Sequence, residues 1–120
     1  MQILSVGSPL LGVVGGVMTV LGTLPVVGSL NMGNLTFGSS TSKLLIDAPS
    51  SSAISTISAG AVILNNVTVD FNSSQPLNPG TYILIYGTSM SGAATQGTLP
   101  PSRSWSSLSV SGNNLVAVLS

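Results

Sequence analysis

The residues able to do chemistry in this 120-residue chain are few enough to weigh one at a time. Ser40 and Lys43 stand at the Ser-x-x-Lys spacing that, in serine acyl-transfer enzymes, lets a lysine ease deprotonation of the serine. That arrangement works across a helical turn and with companion motifs that this chain lacks. Among 22 serines the spacing arises by chance, and the pair reads as a solvated turn. Asp47 and Asp70 are the two carboxylate side chains. Two carboxylates flanking a glycosidic bond can act as acid and as base or nucleophile. With only Lys43 and Arg103 beside them in the composition, they read instead as outward-facing strand charges. Lys43 and Asp47, on one face of a strand, would pair for at most about 1 kcal/mol. Without a repeated Gly-Asp motif they also make no calcium site. Histidine and cysteine are absent, which removes the commonest general base, the commonest metal ligand, the physiological-pH switch, disulfides and thiolate chemistry together. The expectation is no catalytic residue, no cofactor, no metal and no enzyme.

Candidates for contact rather than catalysis remain. Asn34-Leu35-Thr36, Asn66-Val67-Thr68 and Asn72-Ser73-Ser74 fit the N-glycosylation sequon, at about the frequency expected in an Asn- and Ser-rich chain. Tyr82, Tyr86, Phe37 and Phe71 read as packing residues. Trp105, in Pro101-Ser102-Arg103-Ser104-Trp105, sits in a loop context and is the best single candidate for an exposed aromatic contact. An ice- or glycan-binding face would need stacked Thr-x-Thr ranks, and Thr36, Thr68 and Thr81 are scattered.

The surface that would carry these residues is unusual. Four residues bear a formal charge (Lys43, Asp47, Asp70 and Arg103), net charge is zero, and the first 42 residues bear none. A typical soluble domain is roughly a quarter charged. Solubility here falls to hydroxyls, amides and backbone, and such a surface lacks the repulsion that keeps molecules apart. Two basic residues also cannot neutralise a run of phosphates, which excludes electrostatic binding of nucleic acid. At 43% hydrophobic, the chain has material for one continuous core and is not intrinsically disordered.

The elements are those of an all-β protein. Short apolar runs recur at Leu30–Phe37, Lys43–Asp47, Ala61–Leu64, Val67–Phe71, Thr81–Tyr86, Ser107–Val110 and Asn114–Leu119, closed by Gly, Asn, Pro or Ser. Val67, Val69 and Phe71 alternate with Thr68 and Asp70. Tyr82 to Tyr86 is apolar on both faces, as expected of a strand covered on both sides. Asn65-Asn66, Asn78-Pro79-Gly80 and Gly112-Asn113-Asn114 are turn signals. Their irregular spacing excludes a strict short repeat but allows a solenoid with rungs of about twenty residues. Residues 1–28 form an uncharged apolar N-terminal segment, interrupted by glycine and proline, ahead of a β domain at 29–120. Three readings of it compete. Val13, Val14, Val17, Val20, Val26 and Val27 favour assembly strands. Leu10–Val27 is about long enough for a membrane helix, with Gly12-x-x-x-Gly16 as a packing motif, yet it has no flanking basic or aromatic anchors. A signal-like segment would need a positive start that is missing.

From Gly33 to Leu119, about three-quarters of the chain, the sequence resembles the C-terminal rungs and cap of bacterial autotransporter passenger domains and related surface proteins. The likeness runs through Gly33-Asn34-Leu35-Thr36-Phe37-Gly38, Lys43-Leu44-Leu45-Ile46-Asp47, Ile57-Ser58-Ala59-Gly60-Ala61-Val62-Ile63-Leu64 and Val67-Thr68-Val69-Asp70-Phe71. It closes on Pro79-Gly80-Thr81-Tyr82-Ile83-Leu84-Ile85 and on Leu108-Ser109-Val110-Ser111-Gly112-Asn113-Asn114-Leu115. The resemblance implies an exported, right-handed parallel β-helix displayed or shed at the cell surface; the fold alternative is a β-sandwich of jelly-roll type. Such a short unit would carry open β ends, which are templates for pairing with another chain. The expectation is a non-enzymatic, extracellular structural protein that self-assembles into a filament, sheath or surface layer, its partner being itself. The interaction residues would be Val13, Val14, Val17, Val20, Val26, Val27 and Trp105. The alternative is an adhesin or carbohydrate/ice-binding module with surface glycans as partner, and a membrane enters only if residues 1–28 are helical.

Overall fold

The computed structural model describes residues 2–4, 17–20, 22–38, 41–48, 50–72 and 77–120. Every regular element among them is a strand, and the order follows from how parallel strands must be connected. Two parallel neighbours need a return path of a dozen or more residues, usually a helix. This chain has no segment of helical period, so the return path is itself made of strands.

After β1 (Gln2–Leu4), the first pass comprises β2 (Val17–Val20), β3 (Thr23–Val26) and β4 (Ser29–Asn31). The second is β5 (Asn34–Phe37), β6 (Lys43–Asp47) and β7 (Thr56–Ser58). The third is β8 (Ala61–Ile63), β9 (Val67–Asn72) and β10 (Gly80–Tyr86). The fourth begins with β11 (Ser89–Ser91) and β12 (Ala94–Gln96) and ends in the hairpin of β13 (Trp105–Ser111) and β14 (Asn114–Leu119). Each of the first three passes contributes one strand to each of three sheets, and the fourth adds two to the last: β1-β2-β5-β8-β11, then β3-β6-β9-β12, then β4-β7-β10-β14-β13. All pairings are parallel except those of β14, which runs antiparallel to both β10 and β13.

The passes differ in length. In the first sheet Val17 faces Asn34, Leu35 faces Val62 and Ala61 faces Ser89, offsets of 17, 27 and 28 residues. The strands stay in step while the corners absorb the difference: between the first two passes the offset grows from 17 to 20 at the corner from first to second sheet and to 27 at the corner from second to third. Sequence spacing therefore looks irregular although the stack is ordered.

Alternation along each strand sends every second side chain inward, and parallel register lines these up into columns. One column is Leu24, Leu44 and Val69; the next is Val26, Ile46 and Phe71; a third is Leu30, Ile57, Ile85 and Leu115. Val20 and Phe37 form another. Apart from Leu30, which is partly buried, all of these are buried and belong to one core. The boundary drawn from sequence at residue 28 falls at the corner between β3 and β4, with Val20, Leu24 and Val26 on the core side of it. No helix of the described residues is long and apolar enough to cross a membrane, and Val17–Val20 and Thr23–Val26 are strands.

Three strand expectations are corrected. Leu30–Phe37 is not one strand: it divides into β4 and β5, which lie in different sheets, with the corner at Met32-Gly33. There the Met32 N–H donates to the Ser58 carbonyl at 3.0 Å, which keeps the corner in register with the pass above. Tyr82–Tyr86 is not covered on both faces. A register shift between Ile83 and Ile85 in the pairing with β14 turns Leu84 and Ile85 both inward and leaves Tyr86 exposed. A bulge therefore accounts for the run of apolar letters. Trp105 opens β13 instead of lying in a loop. β7, β11 and β12 escaped the sequence reading because each has three residues and little apolar content.

Among the described residues two serines serve the interior. Buried Ser42 donates through Oγ to the Val20 carbonyl at 3.0 Å, and buried Ser55 Oγ accepts from the Gly28 N–H at 2.8 Å. Each joins one pass to the next at a corner where the strand ladder is interrupted. The turns agree with their chemistry: Asn65 and Asn66 adopt φ of 49° and 60°, the left-handed region that Asn tolerates best among residues with a Cβ. Gly112, at φ 61°, is the first of two residues joining β13 to β14, the position that a type II′ hairpin turn reserves for glycine.

Because Phe37 is fully buried in the column above Val20, Phe37→Ala is expected to destabilise the fold by about 3–5 kcal/mol. Ile63→Ala, on an outward position, should stay within about 0.5 kcal/mol. Urea unfolding followed by circular dichroism compares the two.

Candidate functional site

Three of the four charges occupy a single face. Lys43, Asp47 and Asp70 all lie on β6 and β9 in the second sheet and point outward, while Arg103 lies in the loop leading to β13. The expected pair is corrected: Lys43 does not reach Asp47, four residues along the same strand and therefore about 13 Å away. It meets Asp70 on the neighbouring strand, Nζ to Oδ2 at 3.9 Å. Lys43 faces Thr68 in register, so Asp70 is its diagonal neighbour.

Asp70 has a second partner. Its Oδ1 accepts the Thr98 N–H at 2.7 Å, and Thr98 lies just beyond β12, where the chain leaves the second sheet. Gly97 has no room for a Cβ there, because that atom would press on Asp70 Oδ1 and the Val69 carbonyl. The carboxylate thus holds the last pass of the second sheet onto β9. Asp47 stands one rank further along, opposite Asn72. The two carboxylates share a flat, outward sheet face, and among the described residues no cavity opens there and no group of three potential metal ligands forms. Ser40, Ser73 and Ser74 lie outside the described residues.

Of the seven residues expected to make contacts, Val20 and Val26 are buried in the core, and Val17 lies in β2 opposite Asn34. Val13 and Val14 fall outside the described residues. Val27, at the corner after β3, is 71% exposed. Trp105 packs inward: its ring lies 5.9 Å from that of Phe71 at 55°, and its Nε1–H donates to the Gly97 carbonyl at 3.0 Å. It closes the last pass over the core and is half-buried. Tyr86 is the exposed aromatic, 43% accessible, on an outward rank with Ser58, Asn31 and Asn114. Asn34 also acts as structure, its Oδ1 accepting the Ala61 N–H of the next pass at 2.9 Å.

What the stack leaves open is its strand edges. Among the described residues β1, β3 and β4 end their sheets on one side, and β11, β12 and β13 on the other. An unpaired edge is normally blunted by charge, proline, a bulge or shortness. β1, β4, β11 and β12 have three residues each. β3 carries Pro25. The Gly22 carbonyl accepts from Lys43 N–H at 2.9 Å, so by alternation Leu24 and Val26 direct their main chain towards β6, and Pro25 directs its nitrogen towards the free side. A strand arriving there would find one donor missing. β13 is different. It has seven residues, and no edge strand, β13 included, carries a formal charge. Its one irregularity is a bulge at its start, between Trp105 and Ser107. The stretch from Ser107 to Ser111 is regular, unguarded edge. Ser107–Val110 reads as a strand from its sequence; that β14 inserts between β10 and β13 and pushes β13 to the rim depends on the third dimension.

Removing Asp70 separates its two roles. Asp70→Ala is expected to destabilise by about 1–3 kcal/mol because the Thr98 N–H loses its acceptor. Lys43→Ala, which removes an ion pair 3.9 Å long whose lysine is exposed, should cost less than about 1 kcal/mol, and chemical denaturation of the two variants reads the difference. No protein family, no characterised protein and no solved structure matches this chain.

Proposed function

We propose that this is a non-enzymatic structural protein, exported to the cell surface or beyond, that self-assembles through its β edges. On this reading its three-sheet winding is a short right-handed parallel β-helix of the kind its sequence resembles in autotransporter passengers. The observation that carries the proposal is the β13 edge: seven residues long, at the rim of a sheet, with no charge to repel a neighbour. The placement of the other charges supports it. Lys43, Asp47 and Asp70 sit on the outer face of the second sheet, and the strands of the first and third sheets contain no charged residue at all. Molecules approaching through those faces or edges meet no electrostatic barrier.

A second reading, a carbohydrate-binding or adhesive module, is favoured by one feature. Tyr86 stands exposed in a rank of hydroxyl and amide side chains from Asn31, Ser58 and Asn114. An aromatic face flanked by such groups suits a sugar ring.

Light scattering over a concentration series, with negative-stain micrographs of the same samples, separates the two. Assembly predicts ordered multimers that grow with protein concentration. They should differ little between low and high salt, because there is almost no surface charge for salt to screen. A monomer at every concentration overturns the assembly reading, and glycan binding by that monomer, lost in Tyr86→Ala, would establish the other.

A further inference from the structure

We infer that the partner of the β13 edge is β13 of a second copy, paired antiparallel across a two-fold axis that passes between the two Ser109 residues. The inference rests on the self-assembly reading above and specifies one contact within it.

The main-chain groups that β13 leaves free follow from its pairing with β14. Ser111 and Asn114 flank the two-residue turn, so they form a hydrogen-bonded pair, and alternation makes Val110–Leu115 non-bonded, Ser109–Val116 bonded and Leu108–Ala117 non-bonded. Counting from the other end agrees: Ser104 and Ser120 exchange both hydrogen bonds, at 3.1 and 2.9 Å. Trp105–Leu119 is then non-bonded, and the bulge lets Ser107 oppose Val118 in the bonded phase. Leu108 and Val110 therefore turn their N–H and C=O groups to the open side.

These groups are complementary to their own copy. With Ser109 opposite Ser109, each Leu108 faces a Val110 of the other copy, and each such pair can exchange two hydrogen bonds. All four N–H and all four C=O groups that the two strands direct outward at these positions are then satisfied. The side chains agree with the same register. Leu108 and Val110 are on the face packed against the core, so apolar meets apolar there. On the solvent face Ser109 meets Ser109 and Ser107 meets Ser111. A shift by one residue would set the outward groups of one strand against the β14-facing groups of the other and would place serine opposite leucine. With no charge on β13, no like pair opposes the two-fold arrangement. The result is a third sheet continuous through both copies. A two-fold contact is closed, so any longer polymer would need a second, different contact as well.

Ser109 is exposed and the chain has no cysteine, so a single thiol reports the geometry. At a non-bonded antiparallel pair the Cα atoms lie about 4.5 Å apart, within the range of about 4.4–6.8 Å that a disulfide spans. Ser109→Cys under mild oxidation is expected to convert to a covalent dimer at least tenfold faster than Ser51→Cys, which places its thiol on an exposed turn. Ser109→Lys, which sets two ammonium groups face to face while leaving each monomer's solvent face polar, should raise the dimer dissociation constant at least tenfold. Equal crosslinking of Ser109→Cys and Ser51→Cys in a protein that still assembles overturns this pairing and leaves the assembly reading standing. A wild-type chain that stays monomeric at high concentration overturns both.

Discussion

The rest of the molecule depends on the main-chain hydrogen bond from one pass of the chain to the next. With no cysteine and one ion pair among the described residues, nothing stronger ties the passes together. Each strand is only three to seven residues long, and a single pair of such strands is marginal in water. What makes them hold is repetition: β5, β8 and β6, β9 have neighbours on both sides, so both of their main-chain edges are occupied. The side chains then need only fill the tube between three sheets, which the aligned columns of Leu, Ile, Val and Phe do. Corners are where this ladder is interrupted, and there the polar side chains take over. Ser42, Ser55, Asn34 and Asp70 each bond a main-chain group of another pass. Asp70, one of the two carboxylates that could look like chemistry in the sequence, here takes the place of a missing ladder bond.

Glycine serves the same constraint by making room. Gly60 stands where the third sheet hands over to the first, between passes that are bonded by Gly60 N–H to the Gly33 carbonyl and Thr88 N–H to the Gly60 carbonyl. A Cβ on Gly60 would come within 2.7 Å of Asn34 Oδ1, and one on Gly87 within 2.9 Å of the Asn113 carbonyl. Stacked corners can approach this closely only without side chains. Gly33, Gly60 and Gly87 are 27 residues apart in sequence, a period that the strands blur and the corners preserve.

Alternation made several strands legible from sequence. Lys43–Asp47 has the bounds expected, and Val67, Val69 and Phe71 point inward as their period of two requires. What stayed hidden was hidden for identifiable reasons. Leu30–Phe37 reads as one apolar run because a solenoid corner needs only Met32 and Gly33, and a single glycine inside a strand pattern reads equally as a bulge. Tyr82–Tyr86 reads as doubly covered because a bulge puts consecutive residues on one face, and one sequence cannot distinguish that from burial on both sides. Trp105 reads as exposed because its neighbours are Pro, Ser and Arg; its partners, Phe71 and the Gly97 carbonyl, come from another strand and another corner. Asp70 carried the same ambiguity, since nothing local reveals that Thr98, 28 residues away, needs an acceptor.

A ladder of this kind has no intrinsic end, and among the described residues its two sides differ. On the side of the first pass the second sheet ends at β3, where Pro25 lacks a donor for a further strand. On the far side the chain reverses instead: β14 turns back between β10 and β13, converting the parallel stack to antiparallel pairing at its last step. That reversal has a consequence for assembly. An edge strand can accept a neighbour in either direction, as β10 does between parallel β7 and antiparallel β14, and an antiparallel match to its own copy is related by a two-fold axis. By placing β13 at the rim after a hairpin, the fold leaves seven residues of uncharged edge at the end of the third sheet. The scarcity of charge then acquires a position: Lys43, Asp47 and Asp70 lie on strands of the second sheet, Arg103 in the loop before β13, and the regular part of the rim, Ser107 to Ser111, is serine, leucine and valine. Repulsion is absent from the edge where two identical strands can meet.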